Sequence, residues 1–460
     1  MKRKLFLLLS LSLSLSAGLL THLAGLTPRQ SVIISVFSMS IIGTLFFWDF
    51  RLNFVFLGSG VLFLIHAMDM ETFMRFASLD VILFLIGMMI LIAMMKEAGF
   101  FLWLVMVVLR IKNLDGKKMF IALMLMSSLL SGLMDEVSSI LIILAVIFEI
   151  CDFLEIRPEP LVISSILATN IGSASTVLGN PIGILIAARA GFTFEDFILR
   201  ACPLAVIITV LTTLMLLFIY RDYIKDLSSR LKPYEENKGF LSLISIPPDR
   251  RTRISMFIFG ITVLLIALHK RLGILLGIEE NTLLIVLPIV SAGIVMIYRH
   301  DKARYYIEHE VEWNSLLFFM FLFAQAGVIR ASGIADAVAG KLVTGNTTLL
   351  AGAVLFTSGI LSSALDNVVV VASYVPVVRS LQTMQSNLKP LWWALLFGAC
   401  YGGNITMIGS TANIVALGLL EKRMNVRITF FRWFRVGLVI GLVSMVIAYL
   451  AIIFIPIYSN

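Results

Sequence analysis

Two carboxylate-bearing pairs interrupt long apolar runs of this chain: Asp135-Glu136 within SGLMDEVSSILII and Asp366-Asn367 within SSALDNVVVVASY. A charged side chain at membrane depth costs at least about 2.5 kcal/mol, so such residues mark ion pathways and proton relays. Their oxygens suit a hard cation such as Na+, or a proton. The settings also match: Ser131, Gly132 and Asp135 recur as Ser362, Ser363 and Asp366, 231 positions on, and a valine follows each pair (Val137, Val368). This reads as an internal duplication.

Two polar stretches inside other apolar runs supply the second kind of chemistry. The first runs from Asn170 through Gly172, Ser173, Ser175, Thr176, Gly179 and Asn180 to Pro181; the second runs from Gly402 through Gly403, Asn404, Thr406, Gly409, Ser410 and Thr411 to Asn413. Such glycine-rich segments do not hold a continuous helix. At a helix break, unwound carbonyls and Ser, Thr, Asn and Asp side chains ligate a cation, while half-helix N-termini favour an anion. A lone Gly or Ser in a membrane usually does no more than let helices pack closely. Acidic tips and polar breaks matched in both halves argue for a site.

The elements that must position these residues follow from composition. Hydrophobic residues make up 59% of the 460 and charged residues 14%, with a mean hydropathy of +1.00. That is an all-α polytopic membrane protein, with length for about a dozen crossings and little left for a soluble domain. The net charge of +8 reads as cytoplasmic loops obeying the positive-inside rule. No aromatic-basic groove suggests a nucleic-acid partner. Cys151, Cys202 and Cys400 show no CxxC spacing, so neither a disulfide framework nor a zinc site is indicated. The N-terminal run after Lys4 resembles a signal peptide but ends in no clear small-x-small site, and is taken as a first helix that stays.

Spans are expected at 5–24, 31–48, 53–67 and 80–95, then an amphipathic stretch to Lys112. The apolar run 119–151 is too long for one crossing and short for two. A re-entrant hairpin with Asp135-Glu136 at its tip fits, provided protein buries it. A broken helix over 161–188 and a span at 199–220 follow. The order then recurs: spans at 254–270, 281–298 and 313–329, an amphipathic stretch to Leu342, a hairpin over 349–378, a broken helix over 391–420 and a span at 431–456. The expected organisation is an N-terminal transmembrane helix (1–29), a first inverted repeat (30–220), a cytoplasmic linker (221–252) and a second inverted repeat (253–460). About eleven transmembrane helices, two re-entrant hairpins and two broken helices make up the fold. With a cytoplasmic N-terminus, the first hairpin enters from inside and the second from outside. Inverted repeats of this kind are a design of secondary transporters with a midplane site.

GACYGGNITMIGSTANIVALG, SSALDNVVVVASYVPVV and TNIGSASTVLGNP resemble the repeat signatures of the arsenite/sodium-proton antiporter-type permeases (the ArsB/NhaD type, with P-protein-like members) of the ion transporter superfamily, which also holds citrate and dicarboxylate carriers. The likeness covers residues 30–456. It implies that hairpin tips and broken-helix loops form cation and substrate sites, that the hairpin-bearing block moves as an elevator, and that the protein is a homodimer. By position, Asp135, Glu136, Ser138, Asn170, Gly172, Ser173, Thr176, Gly179 and Asn180 would form one site. Asp366, Asn367, Gly403, Asn404, Thr406, Gly409, Ser410 and Asn413 would form the other. Asp135, Glu136, Asp366 and Asn367 are the implied Na+ ligands. The chain departs from the pattern twice: Asp-Glu stands where Asp-Asn is usual at the first tip, and Gly179-Asn180-Pro181-Ile182 where Gly-Asp-Pro-Pro is usual. An acidic group has in effect moved from loop to tip. Two adjacent carboxylates in a low-dielectric place do not both ionise readily, so Glu136 is expected to carry a proton.

The sequence thus indicates a secondary active transporter in the cell (inner) membrane that moves a small anion or oxyanion, coupled to Na+ or H+, with no other cofactor. The alternative is a Na+/H+ antiporter or arsenite efflux permease. No Gly-x-Ser-x-Gly or His-Glu-x-x-His motif suggests an enzyme. Cys400 reads as a small buried packing residue, and His309 as a solvated loop residue.

Overall fold

The computed structural model describes residues 2–47, 50–100, 103, 115–232, 249–278, 282–342, 346–384 and 389–458; among them all regular structure is helical. The first half holds α1 (Lys2–Leu23), α2 (Pro28–Phe46), α3 (Arg51–Leu64), α4 (Met70–Phe76) and α5 (Leu79–Glu97). The first hairpin, α6 (Gly116–Leu133) and α7 (Glu136–Leu154), comes next. The first broken helix is α8 (Glu159–Ser173) and α9 (Pro181–Ala190), and α10 (Cys202–Ile219) closes the half. After α11 (Arg221–Leu231) the second half follows the same order. It contains α12 (Arg250–Ala267), α13 (Thr282–Tyr298), α14 (Trp313–Ala331) and α15 (Ile334–Leu342). The second hairpin is α16 (Thr347–Ser362) and α17 (Asn367–Met384), the second broken helix α18 (Lys389–Gly402) and α19 (Thr411–Met424), and the last span α20 (Phe430–Phe454).

Contacts repeat as the elements do. The hairpin arm α6 packs on α8 as α16 packs on α18, and α5 packs on α13 as α14 packs on α3. The close approaches depend on glycine. A Cβ on Gly172 would lie 2.1 Å from the Ser128 carbonyl oxygen, and one on Gly402 would lie 2.2 Å from that of Gly359, so no larger residue fits at either crossing. The first half-helices of both breaks form the centre. Every residue of α8 is buried, as is every residue from Pro390 to Gly402 of α18. From Pro390 to Gly402 α18 is almost wholly apolar, as such a place requires, whereas α8 also buries Ser164, Ser165, Thr169 and Asn170. Along α18 and its neighbours run stacked rings, Phe192 on Trp393 at 4.4 Å and Phe397 on Tyr401 at 5.6 Å.

Eight described helices are long and apolar enough to cross a membrane by length and composition, and two of these are the arms of the first hairpin, 18 and 19 residues long. The remaining expected spans are shorter or carry charge. Helix α3 has 14 residues, about 21 Å of rise; α12 begins Arg250-Arg251-Thr252-Arg253; and the broken helices are divided. The first hairpin's arms also exceed the expected 119–151. Its tip ends on protein, as a re-entrant hairpin requires: Glu136 is 5% exposed. The amphipathic stretch to Lys112 falls mostly outside the described residues, and so do residues 233–248 of the linker.

Candidate functional site

Four helices start at one place. Asp135 caps α7 by accepting the Ser138 N–H at 2.7 Å, Asn180 caps α9 by accepting the Gly183 N–H at 2.8 Å, and Ser410 caps α19 by accepting the Ala412 N–H at 3.2 Å. Asp366, just before α17, accepts the Val368 N–H at 3.0 Å. Polar cap residues stop each preceding segment and start the next helix, which is why the breaks fall at these positions. Asp135, Glu136, Asn180, Asp366, Asn367 and Thr411 line one cavity of about 70 Å³ between these helix starts. Liquid water takes about 30 Å³ per molecule, so the space suits a small cation with little water around it. The positive ends of four helix dipoles face the carboxylates there.

The two residue groups expected to form separate sites are in contact. Glu136 Oε1, from the first hairpin, accepts hydrogen bonds from the Ser410 hydroxyl at 3.1 Å and the Asn367 amide at 3.4 Å, both from the second repeat. Glu136 and Asn367 are each other's repeat counterparts, 231 positions apart. Asp366 Oδ2 accepts the Thr411 hydroxyl at 2.7 Å. Asn170 on α8 crosses to the other repeat as well, donating to Asn404 Oδ1 at 2.8 Å and Asn413 Oδ1 at 2.9 Å. Asn413 then donates to the Gly403 carbonyl at 2.9 Å and the Thr406 carbonyl at 3.0 Å. Three buried acceptors in this group have no partner among the described residues: Glu136 Oε2, Asn367 Oδ1 and Asn170 Oδ1. Buried polar atoms are nearly always satisfied, so these are the oxygens with capacity for a cation or proton. Among the described residues no three His, Cys, Asp or Glu side chains converge as a metal cluster. A cation ligand set here would mix carboxylate with amide and hydroxyl oxygens.

Several sequence candidates hold the loops instead of lining the cavity. Thr176 donates to the Gly132 carbonyl and Thr406 to the Ser363 carbonyl, repeat counterparts that tie each loop to its own hairpin. Gly179 and Gly409 allow each loop to fold back, since a Cβ would lie 2.2 Å from the Ser173 carbonyl and 2.7 Å from the Gly403 carbonyl. Ser173 donates to the Asn170 carbonyl at 3.0 Å and accepts from Asn180 at 2.9 Å. Asn404 donates to the Leu167 carbonyl at 3.2 Å. Ser138 contributes its backbone N–H. Cys400 is buried, as expected, and accepts from Asn180 at 3.2 Å; His309 is exposed beside Tyr305, as expected, but lies in a helical turn, Tyr306–Glu310, and not in a loop.

Four polar residues line the cavity beyond the expected ligands. Thr411 sits one position past Ser410 in the motif and was within reach of a closer reading. Arg51, Glu312 and Ser315 also line the cavity. Arg51 donates to the Ser315 hydroxyl at 2.8 Å, which donates to Glu312 at 3.0 Å.

Membrane helices in repeated order, broken in pairs, with hairpin tips from two repeats closing a polar cavity, are the build of a transporter. The family comparison agrees: the citrate transporter (CitMHS) family model matches residues 5–398, and the chain belongs to that family. An uncharacterized transporter of Mycobacterium tuberculosis is 30% identical over 377 residues, covering 80% of this chain and 84% of that protein. The 46 kDa membrane protein of Mycobacterium leprae is 29% identical over 379 residues, with the same coverage. The human P protein is 29% identical over 434 residues, covering 78% of this chain and 51% of that longer protein. Among solved structures, the Alcanivorax borkumensis YdaH transporter aligns with a TM-score of 0.53 at 14% identity, covering 86% of this chain and 88% of that one. At that identity the likeness concerns the fold.

Proposed function

We propose that this transporter is secondary active, moving a small multivalent anion coupled to Na+ or H+ by elevator-type alternating access. The observation that carries the reading is Glu136: a buried carboxylate of one repeat, held through Oε1 by Asn367 and Ser410 of the other, with Oε2 unpartnered. A cation or proton at this oxygen offsets the buried charge, and the four helix N-termini with Arg51 favour an anion alongside. The cavity of about 70 Å³ is far below the roughly 300 Å³ at which organic ligand pockets begin. A cavity of this size has room for a coupling ion but not for an organic anion. The two hairpins and two broken helices move together against α2, α3, α5 and α12–α14 to admit the anion. The family makes a citrate-type carboxylate the first substrate to test, and the protein works as a homodimer in the cell membrane with a cytoplasmic N-terminus. The carboxylates Asp135, Glu136 and Asp366 also suit a second reading, Na+/H+ or arsenite exchange of the ArsB/NhaD kind.

Purified protein in liposomes, assayed for citrate, dicarboxylate, arsenite and sodium fluxes under imposed Na+ and pH gradients, tests this. Saturable citrate or dicarboxylate uptake that follows one gradient supports the proposal. Arsenite or Na+/H+ exchange without anion uptake favours the second reading. Conductance indifferent to both gradients overturns both.

A further inference from the structure

A second and larger cavity, about 620 Å³, lies between α4, α9, α14 and the second arm of the second hairpin, α17. Four arginines line it: Arg75 on α4, Arg189 on α9, Arg330 on α14 and Arg379 on α17. Arg189, Arg330 and Arg379 are half-buried. Of these side chains only Arg189 has an ion pair among the described residues, with Asp80 at 3.5 Å. Arg379 makes one long bond, 3.5 Å, to the Arg189 carbonyl, and Arg75 lies over the Phe76 ring at 5.6 Å. Glu71 and Asp336 also line the space, and neither pairs with an arginine.

Half-buried like charges that converge are costly, and Glu71, Asp336 and the Asp80 paired with Arg189 balance only part of this charge; Arg189 and Arg330 also sit near helix C-termini, whose negative ends offset a further part. A guanidinium presents a planar fork matched to carboxylate or phosphate oxygens. The volume lies within the range of small-molecule sites. The cavity also points at the tip site. Its lining reaches Leu185 on α9 and Ala372 on α17, which are about 6–8 Å of helix rise from Pro181 and Asn367. The arginines themselves stand about 12–18 Å along those helices from the same residues.

We propose that Arg189, Arg330 and Arg379, with Arg75 at the rim, form an anion-binding antechamber for a free multivalent carboxylate or phosphate, distinct from the cation-coupled site at the hairpin tips. Arg189 and Arg379 belong to the broken helix and hairpin, Arg330 and Arg75 to the helices around them, so a bound anion bridges the two parts. Binding needs no transport, so this inference stands or fails independently of the coupling mechanism.

The test is calorimetric titration of the full chain in neutral detergent with citrate and with inorganic phosphate. Arg330→Gln and Arg379→Gln are each expected to weaken binding of the tighter probe by about tenfold or more, as loss of one charge-assisted hydrogen bond does. Arg379→Lys should recover part of the loss, and Arg304→Gln, an exposed arginine outside both cavities, should bind as the parent does. Melting curves without ligand establish that each variant is folded. Parent-like binding in the folded Arg330→Gln and Arg379→Gln variants overturns the proposal, as does an equal loss of binding in Arg304→Gln, which would make the effect one of overall charge. A lipid headgroup is the other source of the same chemistry. If neither probe binds, and nanodiscs containing phosphatidylglycerol stabilise the parent but not Arg379→Gln relative to phosphatidylcholine, the occupant is lipid and the free-anion proposal is wrong.

Discussion

Replacing Asp366 with Asn separates the charge at the second tip from the structure around it. Asp366 is 5% exposed and accepts two hydrogen bonds, from the Val368 N–H at 3.0 Å and the Thr411 hydroxyl at 2.7 Å. Asn keeps one oxygen for Val368. Its amide donates to Thr411, whose hydroxyl turns to accept. The bond count is preserved and only the charge assistance is lost, a difference of about 1–1.5 kcal/mol, offset by no longer burying a carboxylate. The melting temperature in detergent should therefore move by no more than about 4 °C. Cation binding should respond differently. Interactions with a charged partner are worth about 1.5–3 kcal/mol, so the apparent affinity for the coupling ion should fall about 10- to 100-fold. Titration of NaCl into choline-buffered protein, with gradient-driven uptake in liposomes, measures the loss. An Asp366→Asn protein that melts like the parent and keeps its cation affinity and coupled uptake would refute the reasoning and remove Asp366 from the site.

Two further predictions concern the frame. Gly172→Ala sets a Cβ against the backbone of Ser128, which cannot rotate away, so it should cost about 1–3 kcal/mol and reduce transport, whereas Gly418→Ala and Gly260→Ala, with nothing within 4 Å, should be neutral or slightly stabilising; identical melting curves for all three would mean the crossing is looser than described. Asp249 caps α12 by accepting the Thr252 N–H at 2.7 Å, and that bond and the Thr252 hydroxyl hold its carboxyl below the ordinary value of 3.8. A depressed folded value means the cap's contribution is complete above the ordinary value and fades as pH falls through the lower one. Asp249→Ala should therefore speed amide exchange over residues 251–253 at neutral pH and leave transport unchanged, while unchanged exchange would show that the cap contributes nothing.

The tips, the breaks and their duplication were legible because each is local: a carboxylate in an apolar run and a glycine-rich gap in a helix both stand out in a one-dimensional pattern. What was not legible is which repeat each side chain meets. The bonds from Glu136 to Asn367 and Ser410, and from Asn170 to Asn404 and Asn413, join residues more than 230 positions apart, and no periodicity encodes them. Thr176, Thr406, Gly179 and Gly409 carry the residue types of ligands, but their partners are the carbonyls of their own hairpin or loop. Residue type gives chemical capacity; only packing decides between holding an ion and holding a loop. The arginines of the large cavity were invisible for a related reason, since four cations on four separate helices form no motif.

The central claim is that Glu136 carries the coupling proton or cation between the repeats. The most direct measurement is the pH profile of solute uptake by liposomes holding the parent or Glu136→Gln, at fixed Na+ and then under an imposed pH gradient. The account predicts pH-dependent, gradient-driven uptake for the parent, and for Glu136→Gln a flat profile with no response to the gradient. A Glu136→Gln protein that retains the parent's profile and its proton dependence would contradict it.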